Sequence, residues 1–162
     1  MSAGAEGRLL VRTPTQHRTY FGRHDLYEAS FQHGWFDTGD LARMDDDGYI
    51  RITGRSKDII IRGGENIPVT EVEAALYRYP KIREVAVIGY PDDRLGERTC
   101  AVVVPAAGET VALDDLTRHL QAERMTKQYW PERLELRDTL PKTASGKIQK
   151  FVLRHEIAEI PS

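Results

Sequence analysis

Residues 54–64 read Gly-Arg-Ser-Lys-Asp-Ile-Ile-Ile-Arg-Gly-Gly, and this stretch decides how the chain divides. Its charged half (Arg55, Lys57, Asp58) breaks one β pattern, and a compact apolar strand over Asp58–Arg62 starts another. Gly54-Arg55-Ser56 is therefore the expected domain boundary, giving parts 1–56 and 57–162. Gly63-Gly64 stops the strand, since glycine alone enters positive φ without a steric penalty. The following Gly63-Gly64-Glu65-Asn66 reads as a turn, or as a place where a narrow ligand passes bare backbone.

On the N-terminal side of this stretch, residues 8–12 read as a short strand and His24–Gln32 as one helix. Alternating strands are expected at Asp40–Met44 and Tyr49–Thr53, joined by the turn Asp45-Asp46-Asp47-Gly48. Toward the C-terminus, Pro68 opens a helix with Val72, Ala75, Leu76 and Tyr79 on one face, and Pro80 closes it. Apolar strands follow at Glu84–Gly89 and Arg98–Val104. A helix over Leu113–Met125 has Asp114 and Asp115 near its N-terminus. Leu134 and Leu136 suggest a last strand. A final helix is expected from near Lys147, burying Ile148, Phe151, Val152 and His155. This order describes a small α+β domain after a β-rich first part.

The 162 residues are 40% hydrophobic and 30% charged, as in an ordinary globular chain. A net charge of −2 from 23 basic and 25 acidic side chains gives no case for nucleic acid or an anionic membrane as partner. Cys100 is the single cysteine, so an intrachain disulfide and a cysteine metal cluster are excluded. It lies in an apolar strand and reads as a packed thiol. No apolar run approaches the ~20 residues of a membrane span, and no signal peptide opens the chain, so a cytoplasmic location is expected. His17, His24, His33, His119 and His155 show no metal-ligand spacing, and no metal site is expected. His24 with Glu28 and His119 with Glu123 read as solvated helix contacts.

Three segments carry candidate chemistry. Pro141-Lys142-Thr143-Ala144-Ser145-Gly146-Lys147 reads as a helix capped by Ser145 with a solvated lysine behind it. Alternatively, helix N–H groups and the Lys147 charge together hold a phosphate or carboxylate. Gly34-Trp35-Phe36-Asp37-Thr38-Gly39-Asp40 reads as an Asx turn with Trp35 and Phe36 in the core, or as a carboxylate that accepts two hydrogen bonds from a diol. Gly54-Arg55-Ser56-Lys57-Asp58 is a polar loop or a hinge whose charges meet different partners in different states. No Gly-x-x-x-x-Gly-Lys-Ser/Thr loop and no Gly-x-Ser-x-Gly elbow occurs.

Taken in order, GWFDTGDLARMDDDGYIRITGRSKDIIIRGGENIPVTEVEAAL, VAVIGYPDDRLGERTCAVVV and LPKTASGKIQKFVLR resemble the C-terminal part of the adenylate-forming superfamily, which includes acyl-CoA synthetases and aryl-acid AMP ligases. The resemblance implies a small lid domain, an antiparallel three-stranded sheet plus a β-hairpin with helices, preceded by the β-rich end of a large N-terminal domain. It also implies roles. Asp40 would hold the ribose hydroxyls of ATP or AMP, and Arg55 would contact ribose or phosphate. Lys57 would be the hinge, and Lys147 the catalytic lysine that reaches the substrate carboxylate and α-phosphate. Gly63 and Gly64 would line the path of CoA, while Asn66 departs from the basic residue many relatives carry there.

The complete enzyme would use ATP, Mg2+ and CoA with a small carboxylic acid. The phosphate loop, the acyl pocket and a magnesium-binding glutamate belong to sequence upstream of anything matched here. The chain is thus expected to need an N-terminal domain in cis or trans, to bind no cofactor tightly by itself, and to be inactive alone. Apolar residues of the first part (Leu9, Leu10, Val11, Trp35, Phe36), separated from that core, are expected to form a homodimer, exchange strands or lie partly disordered. Two other readings stand beside this: a non-catalytic lid that binds a partner, and an aryl-acid ligase segment that loads a carrier protein.

Overall fold

A computed structural model describes residues 4–15 and 19–158. The chain forms two compact units, Met1–Lys57 and Asp58–Ser162.

The first unit is an antiparallel sheet centred on β3 (Trp35–Met44), which pairs with β1 (Glu6–Val11), β2 (Phe31–Gln32) and β4 (Ile50–Arg55). The turn between β3 and β4 closes as expected. Asp45 Oδ1 accepts the Asp47 and Tyr49 N–H groups at 3.1 and 2.9 Å.

Three expectations change. The helix α1 covers only His24–Ala29, because Phe31 leaves it to pack between Tyr27 and Phe36, with ring centroids 5.0 and 5.6 Å apart. Of the two expected core aromatics, Phe36 is buried but Trp35 is 44% exposed, as neighbours on one strand face opposite ways. Gly54 and Arg55 continue β4, and the pattern breaks only at a 3-10 turn over Ser56–Asp58. An apolar groove of about 370 Å³ in this unit is lined by residues including Leu9, Trp35, Met44 and Ile50.

The second unit is built on β7 (Ile82–Asp92) and β8 (Gly96–Pro105), a long antiparallel pair. Both strands are continuous apolar runs because both faces are covered. On one face Val85, Val87, Ala101 and Val103 pack with helices α2 (Val69–Tyr77) and α3 (Leu113–Ala122). On the other, Ala86, Ile88, Cys100 and Val102 meet Leu153 and Ile157 of α4 (Lys150–Ala158). The hairpin of β5 (Ile60–Arg62) and β6 (Glu65–Ile67) extends the sheet from β8.

The strand at Leu134 and Leu136 is β9 (Arg133–Leu136), and it pairs with β8 in parallel. The α+β class holds, but this sheet is mixed rather than antiparallel throughout. A parallel neighbour needs a crossover connection, and the α3 segment between β8 and β9 is that connection.

The last helix begins at Lys150, so Lys147 precedes it and Ser145 does not cap it. Its buried face carries Leu153 and Ile157, while Phe151 is 66% exposed and His155 is exposed. The pair that packs on β7 and β8 is Leu153 with Ile157, one turn apart on the same helix face.

His119 also differs from expectation. Its Nε2–H donates to the Ala75 carbonyl at 2.9 Å, and the ring packs on Tyr79. It joins α3 to α2 instead of pairing with Glu123, which takes Arg78. His24 does pair with Glu28 at 3.2 Å on an exposed face. His17 lies outside the described residues.

Candidate functional site

Asp40 is aimed by a bulge. The register of β1 against β3 breaks between Arg8, opposite Leu41, and Leu10, opposite Asp37. Bulges of this kind re-aim a side chain. The Asx turn foreseen at this point forms, with the Gly39 N–H donating to Asp37 Oδ1 at 2.9 Å. Thr38 Oγ1 donates to the Leu9 carbonyl at 3.0 Å and accepts the Asp40 N–H at 3.1 Å. Arg8 holds the Asp37 carboxylate at 2.6 Å.

Beyond the bulge, Asp40 is the register partner of Arg55 on β4. Arg55 Nε donates to Asp40 Oδ1 at 2.7 Å, with the Asp40 side chain 20% exposed. A carboxylate offers about four acceptor positions, and Arg55 Nε takes one of them. The pair is thus a fixed acceptor beside a cation, which suits a vicinal diol next to a phosphate. Lys57 follows on the 3-10 turn and is exposed.

In the second unit, Asp58 is ion-paired with Arg154 of α4 at 2.8 Å. Gly63 and Gly64 form the two-residue turn between β5 and β6, with φ of +59° and +87°. Positive φ at both central positions is what a tight hairpin turn requires. Both glycines are exposed.

Lys147 sits on a small closed loop. Lys142 bridges Ile148 in antiparallel fashion, and the Thr143 N–H donates to the Lys147 carbonyl at 2.8 Å. The Lys147 N–H donates to Thr143 Oγ1 at 3.1 Å, and Gly146 turns the chain at φ +84°. The threonine side chain competes for the amide that would otherwise open a helix. Helix N–H groups therefore contribute nothing at Lys147. What presents it is the braced turn, held to β7 by Lys142 Nζ on Glu84 at 2.6 Å. Lys147 is exposed.

The structure thus brings Asp40 and Arg55 together and places Gly63–Gly64 and Lys147 on separate turns of the second unit. Sequence reasoning missed three carboxylates that hold those turns. Glu73 on α2 accepts both the Val87 N–H and Lys150 Nζ at 2.7 Å. Glu132 takes the Arg62 guanidinium through two bonds of 3.1 and 2.8 Å. That guanidinium holds the Glu132 carboxyl below its usual range, and Glu132 in turn raises Arg62. Glu97 accepts the Ile61 N–H at 2.8 Å. The one available signal was Gly89, a glycine inside an otherwise apolar strand.

Among the described residues, no group of three or more His, Cys, Asp and Glu could hold a metal ion. No helix among them is long and apolar enough to cross a membrane. Cys100 behaves as a packed thiol, its pKa pushed up to about 12, chiefly by burial.

These features define a class. Residues 71–147 match the family model of the AMP-binding enzyme C-terminal domain, and the chain carries the C-terminal part of an adenylate-forming enzyme. It is 45% identical over 156 residues to the medium-chain fatty-acid–CoA ligase of Escherichia coli strain K12, covering 95% of this chain and 28% of that enzyme. Feruloyl-CoA synthase of an Amycolatopsis species is 44% identical over 151 residues, 93% of this chain and 30% of the relative. The structure of ATP-bound MatB from Rhodopseudomonas palustris matches with a TM-score of 0.87 at 33% identity, over 98% of this chain and 32% of that one. The o-succinylbenzoate CoA synthetase of Bacillus subtilis, in complex with its acyl-adenylate, matches with a TM-score of 0.85 at 34% identity, over 100% of this chain and 32% of that one. The chain therefore spans under a third of the length of these relatives.

Proposed function

We propose that this chain supplies the C-terminal segment of an ATP-dependent carboxylic acid–CoA ligase, with residues 1–56 ending the large domain and 57–162 forming the mobile one. The observation that carries this reading is Lys147, exposed on a braced turn, in a chain that matches two CoA-forming relatives over 95% and 93% of its length. In the first half-reaction the acid attacks the α-phosphate of ATP, giving acyl-adenylate and pyrophosphate. Lys147 neutralises charge gathering on the carboxylate and the phosphate oxygens. Asp40 accepts the ribose hydroxyls, and Arg55 beside it holds that carboxylate in place through its 2.7 Å bond.

In the second half-reaction the CoA thiol displaces AMP. Gly63 and Gly64 let the pantetheine arm pass against backbone, with no side chain to exclude it. Lys57 is the hinge on which the segment turns between the two steps. The Mg2+ of the first step would be held by the phosphates and by residues outside this chain.

The test is a chimera in which this chain replaces the matching segment of the E. coli medium-chain ligase. Lys147→Ala should cut carboxylate-dependent ATP–pyrophosphate exchange by about 100- to 1000-fold, the usual loss for one transition-state donor. Thioester formation from supplied acyl-adenylate should stay within about twofold. Equal losses in both half-reactions would remove Lys147 from its role. The 162-residue chain alone should give no exchange.

A further inference from the structure

The β5–β6 hairpin is attached to the rest of its sheet by a short ladder, through the register pair Arg62–Gly96. Such a contact leaves the tilt of the Gly63–Gly64 turn open. Three further contacts close that freedom. The Gly63 N–H donates to the Leu95 carbonyl at 2.8 Å. Arg62 is clamped by Glu132. The Ile61 N–H donates to Glu97 Oε2 at 2.8 Å.

The Glu97 bond depends on open space over the neighbouring strand. Glu97 lies on β8, and its carboxylate extends over Gly89 of β7. A Cβ built on Gly89 would stand 2.7 Å from Glu97 Oε1 and 3.1 Å from its carboxyl carbon. Real Cβ atoms do not approach so closely, so any side chain at position 89 would displace the carboxylate. Glycine in the middle of a strand weakens it and marks a close approach. Here the group that approaches is the one that holds Ile61.

We propose that Glu97, seated over Gly89, is a positioning residue for thioester formation. It sets the angle of the Gly63–Gly64 turn and hence the width of the path left for the pantetheine arm of CoA. This rests on the ligase reading above. Glu97 touches neither CoA nor the reacting atoms; it acts through the Ile61 amide and the turn beyond it. Its effect belongs to the second half-reaction, because the hairpin has no part in the adenylation roles given to Asp40, Arg55 and Lys147. Arg98, the next residue of β8, belongs to a separate cluster, with its Nε 2.5 Å from Asp92 and its Nη1 3.9 Å from Glu132.

Two variants separate this role from simple loss of folding. Glu97→Ala deletes the acceptor. Gly89→Ala keeps the acceptor and moves it. In the chimera described above, each should raise the KM for CoA by about tenfold, a loss on the scale of one hydrogen bond to a charged group. Adenylation should remain within about twofold, and Glu97→Gln, which keeps an oxygen for Ile61, should remain within about threefold for CoA. In the 162-residue chain, Ile61 amide exchange should quicken in the first two variants and not in the third. An unmodified chimera that forms no thioester rejects the ligase reading itself, and this inference with it. An active chimera whose Glu97→Ala and Gly89→Ala forms lose both half-reactions equally, or leave the KM for CoA unchanged, overturns the role of Glu97 alone.

Discussion

Glu73 to alanine is the substitution whose cost the structure defines most closely. One oxygen of this carboxylate accepts the Val87 N–H on the outer edge of β7 and Lys150 Nζ at the start of α4, both at 2.7 Å. Val87 is fully buried, and the Glu73 and Lys150 side chains are each 18% exposed. Alanine therefore leaves a buried strand amide without its acceptor and a mostly covered ammonium without its counter-charge. A hydrogen bond to a charged group is worth about 1.5–3 kcal/mol, and the unpaired ammonium adds to that, giving about 2–4 kcal/mol in total. In a unit of this size each kcal/mol moves Tm by roughly 4 °C, so the midpoint should fall by about 8–16 °C.

Glu73→Gln keeps an acceptor for Val87 and loses only the charge, so it should cost about 1 kcal/mol. Urea unfolding followed by circular dichroism gives these values, and a double-mutant cycle with Lys150→Met isolates the pair. A loss below about 1 kcal/mol for alanine, or strict additivity with Lys150→Met, would refute the assignment. The consequence reaches the candidate site, because α4 starts just beyond Lys147 and its first residue is what Glu73 holds.

Leu153→Ala should cost about 2–5 kcal/mol, because Leu153 is buried against β7 and β8, whereas Phe151→Ala should stay within about 0.5 kcal/mol; the reverse order in urea titrations would restore the helix phase expected from sequence. Arg62 holds Glu132 below its ordinary value of 4.5, so the contribution of Glu132 is present above that pH and fades as pH falls through the lower folded value. Glu132→Gln should therefore be less stable than the parent near neutrality, with the gap closing below about pH 4.5; a gap independent of pH would contradict the pairing. Cys100, with its thiol at about 12, should resist a thiol-specific disulfide reagent in the native protein and react fully in denaturant. Rapid native labelling would show that the second core opens on its own.

Much of the fold can be read locally. The Asp45–Gly48 turn needs only side chains that bond their own backbone. The face of α2 follows from the 3.6-residue spacing of Val72, Ala75 and Leu76, and β7 and β8 announce themselves as long apolar runs. The family motifs were legible too, including the Asp37-Thr38-Gly39-Asp40 turn. At Lys147 the local reading failed. A serine, a glycine and a lysine ahead of an apolar stretch look like a capped helix, yet Thr143 takes the Lys147 amide and Lys142 is drawn to Glu84 on β7. That choice depends on a strand far away in sequence, which propensity cannot weigh.

By itself, then, the sequence determined the elements with strong period or strong turns, and the family. Tertiary structure decided the parallel pairing of β9, the phase of α4, the loop that carries Lys147, and the seats of Glu73, Glu97 and Glu132. The physical reason is one of range. Periodicity and turn chemistry act over a few residues, whereas a carboxylate that caps a strand edge or rests over Gly89 is fixed only when distant segments pack. Nothing in the spacing of Ile61, Gly89 and Glu97 announces that they meet.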